Sequence, residues 1–544
     1  MEPFDFTEGV ARMTVILRCS YDTDGFETYD HWFSVTGTKA NLPAGTRLPQ
    51  LAERLEAAFD AVRDVWWSLG KDMGRDHGSA RWSHTAAAGS YGSDFGLMLA
   101  WERLILECAA KQDIVLVVCD DPWLFRHLET FPNVSPGRRP RVWLNLIKGA
   151  IRGFAARLSV AFRVAMAAWA LREDRNKPAG RLTSAILVYG HPSSNADGVD
   201  AYFGSLLNAI PGLARLIHTD CPVDLALKLG ATGNTASLHA WGHCGFALWR
   251  LPFCAWRPSR NLVQGSHGWL VRRAAARENS GGGPAMNCWQ MHCQRRWLAE
   301  CNPNVVAWPW ENHAWERDFV RAASVQGIKT VGYQHAVVGR HQFNFSPASN
   351  PDGLNSIPDR VACNGPGYRD QIIGLGIPKD QTEIVGSFRV GPIEGSRFDP
   401  NGPIYVAFSA IPMVAERMMS AIRPLAEKGR RFVIKDHPMY PFRFEETETL
   451  RRIDTTIPET QDISAVLYTT GTPGLEGLFA GVPTFRLMLE DSVALDIMPN
   501  GVAAHAVTAE TLSDGLDRFH DTTSLAWETI MAAVDIEAWR ALLL

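Results

Sequence analysis

At 544 residues, 46% hydrophobic and 21% charged, the chain has the composition of a folded protein too long for one hydrophobic core. Its formal net charge of −4 excludes an electrostatic case for general nucleic-acid binding. The 19 Trp read first as core residues, and otherwise as a surface both apolar and wet, such as a sugar site or a membrane interface.

Ten cysteines run from Cys19 to Cys363, and Met1–Phe6 lacks the basic and apolar regions of a signal peptide. Both features predict free thiols in a cytoplasmic protein. One cluster invites a test as a zinc site: His239, His243 and Cys244, with Cys288, His292, Cys293 and Cys301. The His pair is suitably spaced, but Cys288 and Cys293 depart from the spacing of zinc-ligand pairs, so no metal is expected.

In chain order, Thr14–Arg18 and Ile114–Val118 read as buried strands. Leu48–Leu69 and Phe95–Ala110 read as amphipathic helices, and Gly78–Ser93 as a loop. Together they predict a small α/β unit over residues 1–140, closed by the basic break Pro136–Pro140. Residues 141–182 are expected to be a helical linker. Its core, Leu144–Arg172, carries Lys148, Arg152 and Arg163 on one side, with Arg157 off it. The charges interrupt it too often for a spanning helix. A linker packed on the protein is favoured over a basic amphipathic helix lying on an anionic membrane, so peripheral contact through 144–172 stays open.

A second α/β unit is expected over 183–396. It opens with the strand Ser184–Tyr189, the polar loop Gly190–Gly198 and a helix starting at Ala201–Leu207. Strands follow at Val305–Trp308, Thr330–Tyr333, Arg360–Ala362 and Glu383–Val385, with helices at His313–Ser324 and Gly367–Leu375. Asn279–Ala285 reads as a flexible loop. A third unit, 397–544, places strands at Ile404–Phe408, Phe432–Ile434, Ala465–Tyr468 and Thr484–Leu487. Helices are expected at Val414–Lys428, Gly474–Ala480, Thr508–Phe519 and Ser524–Leu543. Repeated strand–helix units imply parallel sheets with right-handed crossovers, hence two Rossmann-like domains facing across a cleft.

Chemistry concentrates at predicted strand ends, where ligands bind in open α/β sheets. Thr469, Thr470 and Thr472 lie between a buried strand and a helix start, with Gly471 and Gly474 letting a ligand approach the backbone. Ordinary helix capping by Thr is the competing reading. Lys435 and His437, with Pro438 fixing the turn, end a second strand, and Ser409 ends a third. His437 could donate to a departing phosphate.

The pair Phe432-Val-Ile-Lys-Asp-His-Pro438 and Thr469-Thr-Gly-Thr-Pro-Gly-Leu-Glu476, running on to Gly481-Val-Pro483, resembles the His-Pro and Ser/Thr motifs of bacterial sialyltransferases. It also looks like the corresponding region of capsule Kdo transferases. These are inverting, metal-independent GT-B glycosyltransferases that use CMP-activated acidic sugars. The resemblance implies that His437, Thr469, Thr470 and Thr472 hold the CMP phosphate, and that Glu476 is the helix glutamate of the donor domain. Gly332-Tyr-Gln-His335 looks like the end of a GT-B acceptor domain, which adds His335 to the substrate-binding set. Trp308–Glu316 is reminiscent of the glutamate motif of lipid A Kdo transferases. The family's acidic base motif is incomplete here, since Ala196-Asp197-Gly198 lacks the first acid. Glu311, after a predicted strand, and Asp197 therefore rank equally as the general base, ahead of His191. The implied reaction moves an acidic sugar from a CMP donor to a surface glycan or a protein. A CDP-glycerol-type or UDP-sugar transferase, and a non-catalytic glycan-binding scaffold, are the alternatives.

Overall fold

The computed structural model describes the chain except residues 1–13, 23–27, 39–41, 43–45, 77–91, 112, 178–181, 232–233 and 438–439. The readings made on Met1–Phe6, on Pro438 and on most of Gly78–Ser93 lie outside the described residues.

Three parallel sheets organise the molecule. The first joins β1 (Val15–Arg18), β2 (His31–Ser34), β3 (Val115–Val118) and β4 (Val134–Pro136) in the order β2-β3-β1-β4. The second contains β5 (Ser184–Val188), β6 (Ala214–Ile217), β7 (Thr235–Ser237), β8 (Val305–Pro309), β9 (Lys329–Gln334), β10 (Arg360–Cys363) and β11 (Thr382–Ile384), in the order β11-β10-β9-β8-β5-β6-β7. The third contains β12 (Ile404–Ala407), β13 (Phe432–Lys435), β14 (Leu450–Arg452), β15 (Ala465–Tyr468), β16 (Thr484–Leu487) and β17 (His505–Val507), in the order β14-β13-β12-β15-β16-β17. Central strands such as Val-Leu-Val-Val (β3) and Ala-Val-Leu-Tyr (β15) are buried throughout, as a sheet covered on both faces requires.

The second and third sheets share one topology. Each runs outward from its first strand to its third on one side, and from its fourth onward on the other. This is the Rossmann order, and it reverses between β5 and β8 and again between β12 and β15. The C-terminal helix Ile536–Leu543 crosses back onto the second sheet. There Trp539 packs 5.5 Å from Phe203 and 5.2 Å from Tyr333, ring centre to ring centre. Two Rossmann-like domains with a returning C-terminal helix form the GT-B arrangement.

Several expected elements differ. Leu48–Leu69 is two helices, Leu51–Ala61 and Arg63–Arg75, broken at Val62. The helix expected from Ala201 is reduced to Leu206–Ala209, because Asp200 accepts the backbone N–H groups of Tyr202 and Phe203 in a turn. Asn279–Ala285 is mostly helical, since helices end at Asn279 and resume at Gly283. Thr508–Phe519 is helical only over Leu512–Arg518. Ser524–Leu543 keeps only Trp527–Thr529 and Ile536–Leu543. The stretch between runs extended, exchanging backbone hydrogen bonds with Asn364, Ser387 and Val385. Strand β6 escapes a pattern reading because Arg215, 1% exposed, interrupts its apolar run.

The long helix spans Trp143–Ala170. One face, with Val160, Ala161, Val164 and Ala168, is buried against helices Cys244–Arg250, Gly268–Asn279 and Gly283–Cys301. Arg157 is buried on that face and donates to the carbonyls of Pro252 and Asn279. The helix is thus packed on the protein along one side only.

Candidate active site

The two reversal points gather the side chains singled out from sequence. In the third sheet β13, β12 and β15 are neighbours, so Lys435 and His437, Ser409, and the Thr469–Thr472 turn leave three adjacent strand ends. Thr469 is 1% exposed and its hydroxyl has no hydrogen-bond partner among the described residues. A buried donor of this kind is costly unless something satisfies it. Gly471 sits at φ +104°, a conformation open to glycine at little cost, and turns the chain between Thr470 and Thr472. Thr472 makes no side-chain capping bond to the helix Pro473–Phe479. Gly474 lets that helix lie against Tyr468, whose ring a Cβ would meet at 2.3 Å.

Glu476, on the same helix, is pushed up to about 7 by burial, with Arg389 pulling it back in part. Burial also lowers the proton affinity of His437. Beside His437 opens a cavity of about 550 Å³, bordered by Lys435, Phe442, Arg443 and Arg452. The Lys435 ammonium donates to the Asp454 carbonyl, and Arg452 pairs with Asp436. Ser409 Oγ accepts from the Ile411 N–H at 3.2 Å, an ordinary turn contact.

In the second sheet the reversal lies between β5, which leads to His191, and β8, which leads to Glu311. The Glu311 carboxylate is 2.7 Å from His313 Nε2 and 3.7 Å from His335 Nε2, at the end of β9. His335 packs edge-on to Tyr202 at 5.1 Å, and Tyr202 lies 6.2 Å from His191. Burial pushes His335 down to about 4, so its imidazole is neutral near pH 7. For His313 burial also lowers the pKa, but the hydrogen bond and charge of Glu311, with the charge of Glu316, raise it overall. Glu316, fully buried, is pushed up to about 7 by desolvation and accepts the Glu311 N–H at 3.0 Å.

The turn that holds Glu311 is constrained from below. Asn312 is buried at φ +58°, in the left-handed region that Asn tolerates better than most residues. It donates to the Asn344 carbonyl at 2.7 Å, while Asn344 donates to the Glu311 carbonyl at 2.7 Å.

Asp197 is exposed, and its backbone carbonyl accepts from Asn208. The buried acid of its loop is Asp200, which holds Ser194 and the turn at Tyr202. The structure thus joins Glu311, His335 and His191 through Tyr202, with Asp197 on the outer side of the loop.

Sequence reasoning missed three participants. His313 stood two residues from Glu311 in a quoted motif. Tyr202 had no distinguishing pattern. Arg389 follows β11 with no motif at all; its guanidinium lies 5.8 Å over the Tyr202 ring, and its charge acts on both His335 and Glu476.

Among the described residues no group of three or more His, Cys, Asp or Glu is placed to hold a metal ion. In the Cys/His cluster, His239 accepts from Trp289 Nε1, His292 stacks on Phe246 at 3.8 Å, and Cys244, Cys293 and Cys301 are free thiols.

No protein-family model and no curated protein matches the chain. Solved structures are similar at low scores. A UDP-GlcNAc 2-epimerase of Methanocaldococcus jannaschii is 10% identical, covering 66% of this chain and 99% of its own, with a TM-score of 0.38. The glycosyltransferase SnogD of Streptomyces nogalater is 11% identical, covering 67% and 94%, with a TM-score of 0.37. Acinetobacter baumannii MurG is 10% identical, covering 62% and 89%, with a TM-score of 0.33. Likeness at this level assigns no activity to the chain.

Proposed function

We propose that the protein is an inverting glycosyltransferase that moves a sugar from a nucleotide donor to a glycan or glycoprotein acceptor. The observation that carries this reading is the pair of strand-order reversals, each furnished with groups suited to one half of a transfer. One bears the Glu311 carboxylate beside His313 and His335, with Arg389 over the neighbouring Tyr202 ring. The other bears the hydroxyl-rich turn Thr469–Thr472, next to the strand end that carries His437.

In this mechanism Glu311 takes the proton of an acceptor hydroxyl as that oxygen bonds to the anomeric carbon. The bond from the anomeric carbon to the donor phosphate oxygen breaks, and its electron pair leaves on the phosphate. Arg389, the His437 N–H and the hydroxyls of Thr469, Thr470 and Thr472 donate to the charge that accumulates there. Preorganised donors of this kind are commonly the largest catalytic contribution. Neutral His335 leaves the carboxylate basic, whereas His313, whose proton affinity the Glu311 hydrogen bond and charge raise, donates to it at 2.7 Å and orients it.

The finer choice is the donor. The motif resemblance implies a CMP-linked acidic sugar, held by Lys435, His437 and the threonine turn. Lys435 is engaged by the Asp454 carbonyl, which weakens its part in that motif and keeps a UDP-linked sugar as the second reading. Thermal-shift titration with CMP, CDP, UDP and GDP separates them. The true nucleotide, at about 100 times its dissociation constant, stabilises the fold by about 2.7 kcal/mol. Stabilisation by none of the four would sink the proposal.

A further inference from the structure

The long helix Trp143–Ala170 exposes its largest apolar side chains. Trp143 is 74% exposed, Ile147 56%, Ile151 68%, Phe162 56%, Met166 67% and Trp169 62%. At 100° per residue they fall on one stripe, separate from the face that carries Val160 and Val164. At 1.5 Å per residue, the 28-residue helix is about 42 Å long. Phe253, 66% exposed, extends the patch sideways from Phe154, its ring 6.1 Å away. A contiguous apolar surface of this size marks an interaction site.

The charges identify the occupant. The helix contains Lys148, Arg152, Arg157 and Arg163 and no acidic residue. Arg157 is turned inward, while Lys148, Arg152 and Arg163 are exposed along the border of the stripe, Arg152 donating to Ser280 and Arg163 to the Met286 sulfur. Two copies laid face to face would bring basic flanks together, which disfavours a dimer. An anionic lipid surface satisfies both the apolar stripe and its cationic border. Exposed Trp at each end suits the boundary between acyl chains and headgroups. No described helix is long and apolar enough to cross a membrane. We propose that Trp143–Ala170 lies flat on an anionic bilayer surface, its stripe among the upper acyl chains and its lysine and arginines among the phosphates.

The test uses the whole protein and no enzymatic readout, so its outcome is independent of the proposed activity. The protein is sedimented with vesicles of phosphatidylcholine alone, or of phosphatidylcholine with phosphatidylglycerol. Wild type is expected to pellet with the anionic vesicles and to be partly released by high salt. Lys148→Ala should weaken partitioning roughly fivefold, the equivalent of one cation near such a surface. Ile151→Glu with Met166→Glu should remove it by more than tenfold. Both positions are over half exposed, so the unfolding temperature should stay unchanged. Absence of partitioning, equal binding to neutral and anionic vesicles, or a vesicle-free dimer abolished by the double variant would each overturn the proposal.

Discussion

Glu311 and Glu316 are five residues apart, yet their surroundings divide their roles. Glu311 faces two histidines at a strand end, whereas Glu316 is fully buried beneath it and holds its backbone N–H. Glu311→Gln keeps the size and removes the carboxylate proposed as the base. Transfer is expected to fall by about 10²–10⁴-fold with the unfolding temperature unchanged, measured with the donor identified by thermal shift. Glu316 makes a pH prediction. Its folded pKa, about 7, lies above the ordinary 4.5, so the folded state holds the extra proton between those values. The stability it contributes is therefore present at low pH and lost as pH rises through that window, on the order of 3 kcal/mol at most. Glu316→Gln mimics the protonated form. Its unfolding temperature, compared with wild type, should improve progressively from pH 4.5 to 7.5; a constant difference would refute the buried-acid account.

At the scale of elements, the threonine turn depends on glycine geometry more than on the hydroxyls. Gly471 at φ +104° lets Thr470 and Thr472 leave the strand in different directions before Pro473 starts the helix. Gly471→Ala strains the backbone there by roughly 1–2 kcal/mol. The relief is a rotated turn, which misplaces the hydroxyls proposed to meet the donor. The expected result is a small drop in the unfolding temperature of the free protein and a much larger loss of nucleotide-induced stabilisation. Equal losses in both would mean that the turn has no part in nucleotide binding. The motif made this turn visible in the sequence because it is local. The paired Glu311 turn was half visible: its glutamate stood in a motif, but Asn344, which supports it, comes from a stretch over 30 residues away whose pattern says only polar and aromatic.

At the scale of the molecule, the first sheet's unit acts as a brace. On the helix Leu51–Ala61, Glu56 pairs with Arg486 of β16 at 2.7 Å and with Arg340 of the loop after β9 at 2.5 Å. It thereby reaches both Rossmann-like domains. Phe59 stacks on Phe343 at 4.9 Å, and the Trp67 indole donates to the Phe343 carbonyl. Phe343 precedes Asn344, so the unit supports the segment that holds the Glu311 turn. Removing the carboxylate leaves Arg486, 5% exposed, without its charged partner. Glu56→Ala is expected to cost about 3–5 kcal/mol, read as a lower unfolding temperature, whereas the exposed Glu53→Ala should be neutral. A neutral Glu56→Ala would show that the brace contributes nothing.

The sequence by itself determined the class of fold and the placing of His437 and the threonine turn at neighbouring strand ends. Both rest on signals carried by neighbours in the chain: apolar runs of strand length, helical spacing, and a strand–turn–helix motif whose glycine and threonines are contiguous. Even the cationic linker helix was legible, because its periodicity is local. Only the tertiary structure decided what crosses between strands. Strand order created the two reversal points and set Glu311 beside His335. The chain after β11 set the Arg389 guanidinium over the Tyr202 ring, and Asp197 stayed exposed on its loop. Tertiary packing also chose which side of the long helix to bury, leaving the apolar stripe in solvent. Such contacts depend on which distant segments share a surface, and no local spacing records that.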